Sequence, residues 1–291
     1  MIKKFSTSNW HESISQVTQT DAIQTLETGN ILFFPQLAFE LSAEEKKFLT
    51  TEYADPKAKN ISYHSVKNKL WGVQHLTDEE HEQLKIMMER FAQCASALIK
   101  NYFPSYTKSL TMARTSFRPM QISDRKSSYR KDDKRLHIDA FPSAPNQGKR
   151  ILRVFCNVNP HNEDRVWRVG EPFEKVANRF IPQIKKPLPG FATALRFLQI
   201  TKSYRTPYDH YMLHMHDKMK ADNWYQENCD QQEVRFAPNT TWIVQTDDVS
   251  HAAMKGQYLL EQTFSLPVHA MQDESRSPLH ILEKILAKTL V

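Results

Sequence analysis

The sequence predicts an α+β domain, helices packed around a sandwich or barrel of strands, and three observations predict it. Apolar residues at helical spacing dominate the first hundred positions. Strand-like alternation takes over from about residue 110. A helical stretch over 171–228 then divides the strands, which resume at 233 and run to 268. Strands on either side of a helical insertion, with helices at the front, suit one core rather than two.

Each element has a local reason. Residues 21–28 read as a short helix stopped by Gly29, followed by the apolar run 31–34 that ends at Pro35. Ser42-Ala43-Glu44-Glu45 and Thr77-Asp78-Glu79-Glu80 are capping boxes, in which a hydroxyl and a carboxylate satisfy free amides at a helix start. The second opens the strongest helix: Leu84, Met87, Met88, Phe91, Ala95, Leu98, Ile99 and Tyr102 recur at three and four, a core stripe that Pro104 ends. The part over 1–109 is therefore expected to be mainly helical. Alternation over 110–118 puts Arg114 and Arg118 on one strand face, and in 151–158 Arg153 points opposite to Leu152 and Val154. The charged stretch 123–134 reads as an exposed, mobile loop. Segments 171–184 and 207–228 read as helices, and 233–236, 240–246 and 257–268 as strands. The tail over 278–291 is amphipathic, Leu279, Ile281, Leu282, Ile285, Leu286 and Leu290 opposing Glu283, Lys284 and Lys288. It reads as a helix docked on the body, with an interfacial membrane helix as the sharper alternative.

Bulk numbers remove whole classes. A chain of 291 residues with 40% hydrophobic and 25% charged residues is an ordinary globular protein. No run reaches the roughly 18 apolar residues of a membrane span, and no apolar core follows the charged start, so no secretory signal is expected. Cys94, Cys156 and Cys229 are too far apart for a metal knuckle or a redox pair and suit a reducing cytoplasm. The six glycines stand far apart, excluding a Walker A loop or a dinucleotide fingerprint. No Gly-x-Ser-x-Gly elbow is present. The net charge of +6 is concentrated: between Arg114 and Arg153 eleven basic residues face four acidic ones, +7, so the remainder sums to −1. A confined excess points to an anionic ligand at a site.

The candidate site lies inside that window. In an extended segment His137 and Asp139, at i and i+2, face the same way and supply one imidazole and one carboxylate. A distant His251, 112 residues after Asp139, would complete the 2-His-1-carboxylate set that binds non-haem Fe(II) and leaves coordination positions open. Taken alone an H-x-D is weak, since twelve histidines and 33 acids make chance matches common. His210, His214, His216 and Asp217 form a competing cluster. It has no Glu between its helical pair and reads as solvated or partly packed histidines.

Longer motifs raise the metal reading. Arg135-Leu136-His137-Ile138-Asp139-Ala140-Phe141-Pro142-Ser143 resembles a core motif of the Kdo hydroxylases, Fe(II)/2-oxoglutarate-dependent dioxygenases. So do Arg150-Ile151-Leu152-Arg153-Val154-Phe155 with Asn157-Val158-Asn159-Pro160, Arg165-Val166-Trp167-Arg168-Val169-Gly170-Glu171-Pro172-Phe173, and the segment from Tyr208 to Asp217. The resemblance covers most of the chain between Arg114 and Pro267. It implies a double-stranded β-helix, or jelly roll, with His137, Asp139 and His251 as iron ligands. It also implies hydroxylation at C3 of Kdo, the acidic sugar joined to lipid A in the inner core of lipopolysaccharide. Dioxygen and 2-oxoglutarate would be cosubstrates, and succinate and CO2 co-products.

The far carboxylate of 2-oxoglutarate needs a fixed cation, best a guanidinium fork. The commoner dioxygenase pattern has an Arg some ten residues after the distal His, but 252–268 contains none; Lys255 is its only cation and Gln262 occupies that region. Arg118, Arg153 and Arg165 are the expected anchors, with Arg168 behind them. Loop cations Arg125, Lys126, Arg130, Lys131 and Lys134 would meet acidic groups of the glycolipid or remain solvated. The expected setting is cytoplasmic, peripheral on the inner membrane, with no nucleic-acid pattern and no obligate protein partner inferred. The competing readings are a 2-oxoglutarate oxygenase of another acidic sugar or nucleotide, a metal-dependent sugar isomerase, and a non-catalytic lipopolysaccharide binder, which would tolerate loss of His137 or His251.

Overall fold

Successive side chains of a strand point to opposite sides, and in Arg150–Asn157 both sides are covered, so that all eight residues are buried. Leu152, Val154 and Cys156 pack with the helices, while Phe155 enters a second apolar cluster on the other side. One strand thus defines three layers: helices, a large sheet and a small sheet. The chain, a computed structural model that describes residues 1–123 and 128–291, runs β1 (Ile2–Lys4), α1 (Gln16–Glu27), β2 (Ile31–Phe34), β3 (Ile61–His64), β4 (Lys69–Trp71), α2 (Asp78–Tyr102), β5 (Thr111–Arg118), β6 (Arg150–Asn157), β7 (Arg165–Val169), α3 (Phe173–Phe180), α4 (Phe191–Phe197), α5 (Pro207–Ala221), α6 (Asn223–Asn228), β8 (Gln232–Phe236), β9 (Thr240–Gln245), β10 (His251–Lys255), β11 (Leu259–Leu266) and α7 (Pro278–Leu286).

The large sheet has the order β1-β2-β9-β6-β11-β5-β3-β4 and the small one β10-β7-β8. Among the described residues only the β1–β2 pair is parallel. Between the sheets, Phe155, Trp242, Val244 and Leu259 meet Trp167, Val169, Val234 and Phe236, an antiparallel sandwich of the jelly-roll type. Helices α1 and α2 cover the outer face of the large sheet, with Leu84, Met87, Met88, Phe91, Leu98 and Ile99 of α2 buried against it. The Thr77 box caps α2 as expected, the Glu80 amide donating to Thr77 Oγ1 at 3.2 Å and the Thr77 amide to Glu80 at 3.0 Å.

Several expectations change. The first 109 residues hold α1 and α2 and also contribute four short strands, β1 to β4, to the two edges of the large sheet. Short strands without alternation carry no period to read. Helix α1 starts at Gln16, capped by Ser15, rather than at 21. The Ser42 box forms, with both reciprocal bonds, yet caps only a single 3-10 turn, Glu45–Phe48. Asp222 breaks the segment 207–228 into α5 and α6. Helix α4 falls within the expected helical stretch over 171–228, whereas strands β7 and β10 go beyond the expected elements.

In β5 the ladder to β11 slips between Thr115 and Met112, so Met112 packs toward the helices while Arg118 stays on the inner face. Of the loop read as mobile, residues 124–127, including Arg125 and Lys126, lie outside the described residues. The rest is tied down: the Ala253 amide donates to Asp133 O at 2.8 Å, and Lys220 Nζ to Arg130 O at 3.1 Å. The tail helix is docked, and all six of its apolar residues pack in or against the helix-side core. Leu279, Leu282 and Leu290 are buried there, while Ile281, Ile285 and Leu286 are half-buried against it, which is the docked arrangement. No helix among the described residues is long and apolar enough to cross a membrane.

Candidate metal centre

Backbone pairing brings the three expected ligands together. The His137 amide donates to His251 O at 3.0 Å and the His251 amide to His137 O at 2.9 Å, while the Asp139 amide donates to Thr246 O at 2.7 Å. The segment that carries His137 and Asp139 is therefore joined to the first residue of β10 by an isolated antiparallel bridge. The ligand atoms of His137, Asp139 and His251 all lie within 4.8 Å of one another, and His137 Nε2 is 3.8 Å from Asp139 Oδ1.

The ring orientations are set by carbonyls, which only accept. His137 Nδ1 donates to Arg135 O at 2.8 Å and His251 Nδ1 to Val249 O at 2.8 Å. Both Nε2 lone pairs are thereby left facing the cluster, as metal-bound imidazoles require. Burial pushes both imidazole pKa values down, so each ring is neutral near pH 7. Burial works against the charge of Asp139, but Arg153 beside it holds the carboxyl well below the usual range. Two neutral imidazoles and one anionic carboxylate, buried and with free donor atoms, fit a divalent iron ion.

Charged groups surround the cluster in a definite order. Arg153 reaches Asp139 Oδ2 with Nη2 at 2.9 Å and Glu261 Oε1 with Nη1 at 3.0 Å. Arg118 donates to Glu261 Oε2 through Nε at 3.0 Å and Nη2 at 2.6 Å. Where the commoner pattern takes an Arg from the strand after the distal His, β11 here supplies an acid, and its two neighbours β5 and β6 supply one Arg each. Gln262 faces the other way, accepting from Thr115 Oγ1 at 2.6 Å. Arg165, 3% exposed, donates to Gly256 O at 2.9 Å and forms no ion pair among the described residues. Its closeness to Gly256 requires a glycine: a Cβ there would stand 2.8 Å from Arg165 Cδ, and its φ is +115°. Arg168 points away from the sandwich and caps the carbonyls of Lys134 at 2.9 Å and Gln226 at 3.2 Å. Arg150, part of the basic window, is spent structurally: fully buried, it bonds Asp247 and Asp248 at 2.7 Å each. That clamp holds the turn leading into His251.

Three residues were missed or misread. Glu261 sits in a stretch noted only for its lack of Arg. Trp167 stacks on His251, ring centres 5.0 Å apart, and ends an aromatic row with Phe155, Trp242 and Phe236; its buried Nε1 has no partner among the described residues. His216, read as a solvated or packed histidine, lies edge-on to His137 at 5.4 Å, with Nδ1 2.9 Å from Asp217. His210 and His214 pair with each other, ring centres 4.3 Å apart, and do not join the cluster. Among the loop cations that are described, Arg130 pairs with Asp217 at 3.1 Å, while Lys131 and Lys134 form no ion pair among the described residues.

A jelly-roll sandwich with two imidazoles and one carboxylate converging at the edge of its small sheet defines a mononuclear metal protein with the donor set of non-haem iron oxygenases. The model of the family described as 3-deoxy-D-manno-oct-2-ulosonic acid (Kdo) hydroxylase matches residues 9–289, and the chain belongs to that family. It is similar to the crystal structure of the Kdo hydroxylase KdoO, a non-heme Fe(II) alphaketoglutarate dependent dioxygenase, in complex with alphaketoglutarate and Fe(III), with 48% identity and a TM-score of 0.96 over 100% of this chain and 97% of that one. The cobalt(II) complex of KdoO matches at 48% identity and a TM-score of 0.97, with the same coverage. Among curated proteins none matches the chain.

Proposed function

We propose that this chain is an Fe(II)- and 2-oxoglutarate-dependent dioxygenase that hydroxylates C3 of a Kdo sugar of Kdo-lipid A, giving Ko, succinate and CO2. The observation that carries the reading is the His137–Asp139–His251 cluster, with both Nδ1 atoms committed to carbonyls, in a chain of the Kdo hydroxylase family. The Nε2 atoms of His137 and His251 and a carboxylate oxygen of Asp139 would hold the iron. With 2-oxoglutarate and dioxygen bound, the metal supplies the oxidising power that replaces a C–H bond by C–OH.

The chain's own groups supply charge and position. Arg153 keeps Asp139 ionised and aimed. Arg118, Arg153 and Arg165 take the far carboxylate of 2-oxoglutarate, Arg165 being the one that forms no ion pair among the described residues. With the Lys59–Asp133 pair cancelling itself, three guanidiniums against two carboxylates, Glu261 and Asp139, leave +1 before anything binds. Iron raises this to +3 and the cosubstrate dianion returns it to +1, so metal binding favours cosubstrate binding. Trp167 and its aromatic neighbours keep water from that wall of the site. The acceptor is a lipid, so the setting is the cytoplasmic face of the inner membrane, with the protein peripheral.

The test is purified protein with Fe(II), 2-oxoglutarate, ascorbate and Kdo-lipid A in air, read by mass spectrometry. Gain of one oxygen with stoichiometric succinate is expected. Turnover of another acidic sugar but not of Kdo-lipid A would overturn the substrate and keep the mechanism. Turnover that survives His251→Ala would overturn the metal site.

A further inference from the structure

Among the described residues, exposed large apolar side chains are concentrated in one place. Leu188, Phe191, Phe197, Leu198, Ile200 and Tyr204 are between 49% and 85% exposed, six of the fifteen such residues among those described. They surround α4, a helix with no buried residue. Phe191 and Phe197 on α4, with Leu188 before it and Leu198 and Ile200 after it, are left bare, and only Leu195 among its larger apolar residues is half-buried. Over the same residues, 185–205, the chain has five cations, Lys185, Lys186, Arg196, Lys202 and Arg205, and no acid. Contiguous apolar surface rimmed by charge of one sign marks an interaction site, and +5 in 21 residues selects an anionic partner.

The patch is joined to the metal centre. The Lys202 amide donates to Ser143 O at 2.8 Å, Arg205 Nη2 to Pro142 O at 2.5 Å, and Ser203 Oγ to Pro145 O at 3.2 Å. That carbonyl run begins three residues after Asp139. Between them Phe141 is itself exposed, with its ring 5.9 Å from the Arg153 guanidinium.

We propose that α4 and its flanks dock on an anionic lipid bilayer, Phe197, Leu198 and Leu188 entering the interface and the five cations meeting lipid phosphates. Bare apolar side chains beside cations are the chemistry of an interfacial helix, and the docked edge would bring the Asp139 side of the centre toward the membrane surface. The proposal rests on the glycolipid reading of the acceptor for its purpose, but its test does not. The full chain is sedimented with vesicles of phosphatidylcholine, alone or with phosphatidylglycerol, neither containing any sugar acceptor.

Sedimentation with the anionic vesicles, weakened by salt, is expected. Replacing Lys185 and Lys186 by Glu should lower partitioning by at least about twenty-five-fold, at roughly fivefold per cation removed. Phe197→Asp with Leu198→Asp should abolish it. All four side chains are exposed, so thermal melting and cobalt(II) binding should stay as in the unaltered protein. Equal sedimentation of the variants, or none by the unaltered chain, would overturn the proposal. So would a dimer in sedimentation velocity that Phe197→Asp dissociates without any vesicle binding, which would make a second copy the occupant. Vesicle binding without sugar hydroxylation would leave the docking surface standing and remove the substrate.

Discussion

Replacing Arg165 with Met should make the protein more stable and less able to bind 2-oxoglutarate. The guanidinium is 3% exposed, its Nε has no partner among the described residues, and its Nη1 donates to a single carbonyl at 2.9 Å. Burial, and then the repulsion of Arg118, push its pKa down to about 9, which measures how poorly its charge is compensated. Exchanging such a buried charge for an apolar side chain of similar volume stabilises by about 1–4 kcal/mol, and the melting temperature of the metal-free protein should rise by several degrees. Losing a charge-assisted contact to a buried carboxylate costs about 2–5 kcal/mol in binding, so the KM for 2-oxoglutarate should rise by about thirtyfold or more. Differential scanning calorimetry and succinate formation against 2-oxoglutarate concentration read the two effects. Arg168→Met, which removes caps on the outer side of the same strand, is the control and should leave KM unchanged. A fall in melting temperature with an unchanged KM would refute the reasoning, because Arg165 would then be a compensated strut.

Three further outcomes are expected. Arg150→Ala leaves Asp247 and Asp248 buried against each other without their cation; chemical denaturation should show a loss of about 3–5 kcal/mol. Burial lowers the pKa of both His137 and His251, so protons compete less for their lone pairs. Cobalt(II) affinity should therefore persist below pH 6.5, the ordinary histidine value, while the metal-free protein loses stability as pH falls through that value because unfolded imidazoles take up protons the buried ones resist. Leu282→Ala removes a fully buried side chain of α7; it should cost about 2–5 kcal/mol and leave vesicle sedimentation unchanged.

What was legible followed from short-range pattern. Helix α2 was readable because its capping box and its stripe agree, and Arg153 could be turned inward because strand alternation opposes it to Leu152 and Val154. The edge strands β1 to β4 were not readable, since three- and four-residue strands contain too little period to separate them from loop. Strand β7 is short and its inward residues Arg165, Trp167 and Val169 mix charge with apolar side chains, so its alternation does not stand out in the sequence. The α4 patch was invisible for a different reason: a helical apolar spacing reads the same whether a core covers it or not.

The sequence by itself determined the chemistry available: His137 and Asp139 two residues apart, His251 far downstream, a basic window and no glycine-rich phosphate loop. Tertiary structure decided how those charges are used. Arg118 and Glu261, 143 residues apart, meet because β5 and β11 are neighbours. Arg150 is consumed by Asp247 and Asp248, and Arg165 remains uncompensated. Burial and strand register are long-range properties, and they decide which cations are cancelled and which are left for a ligand.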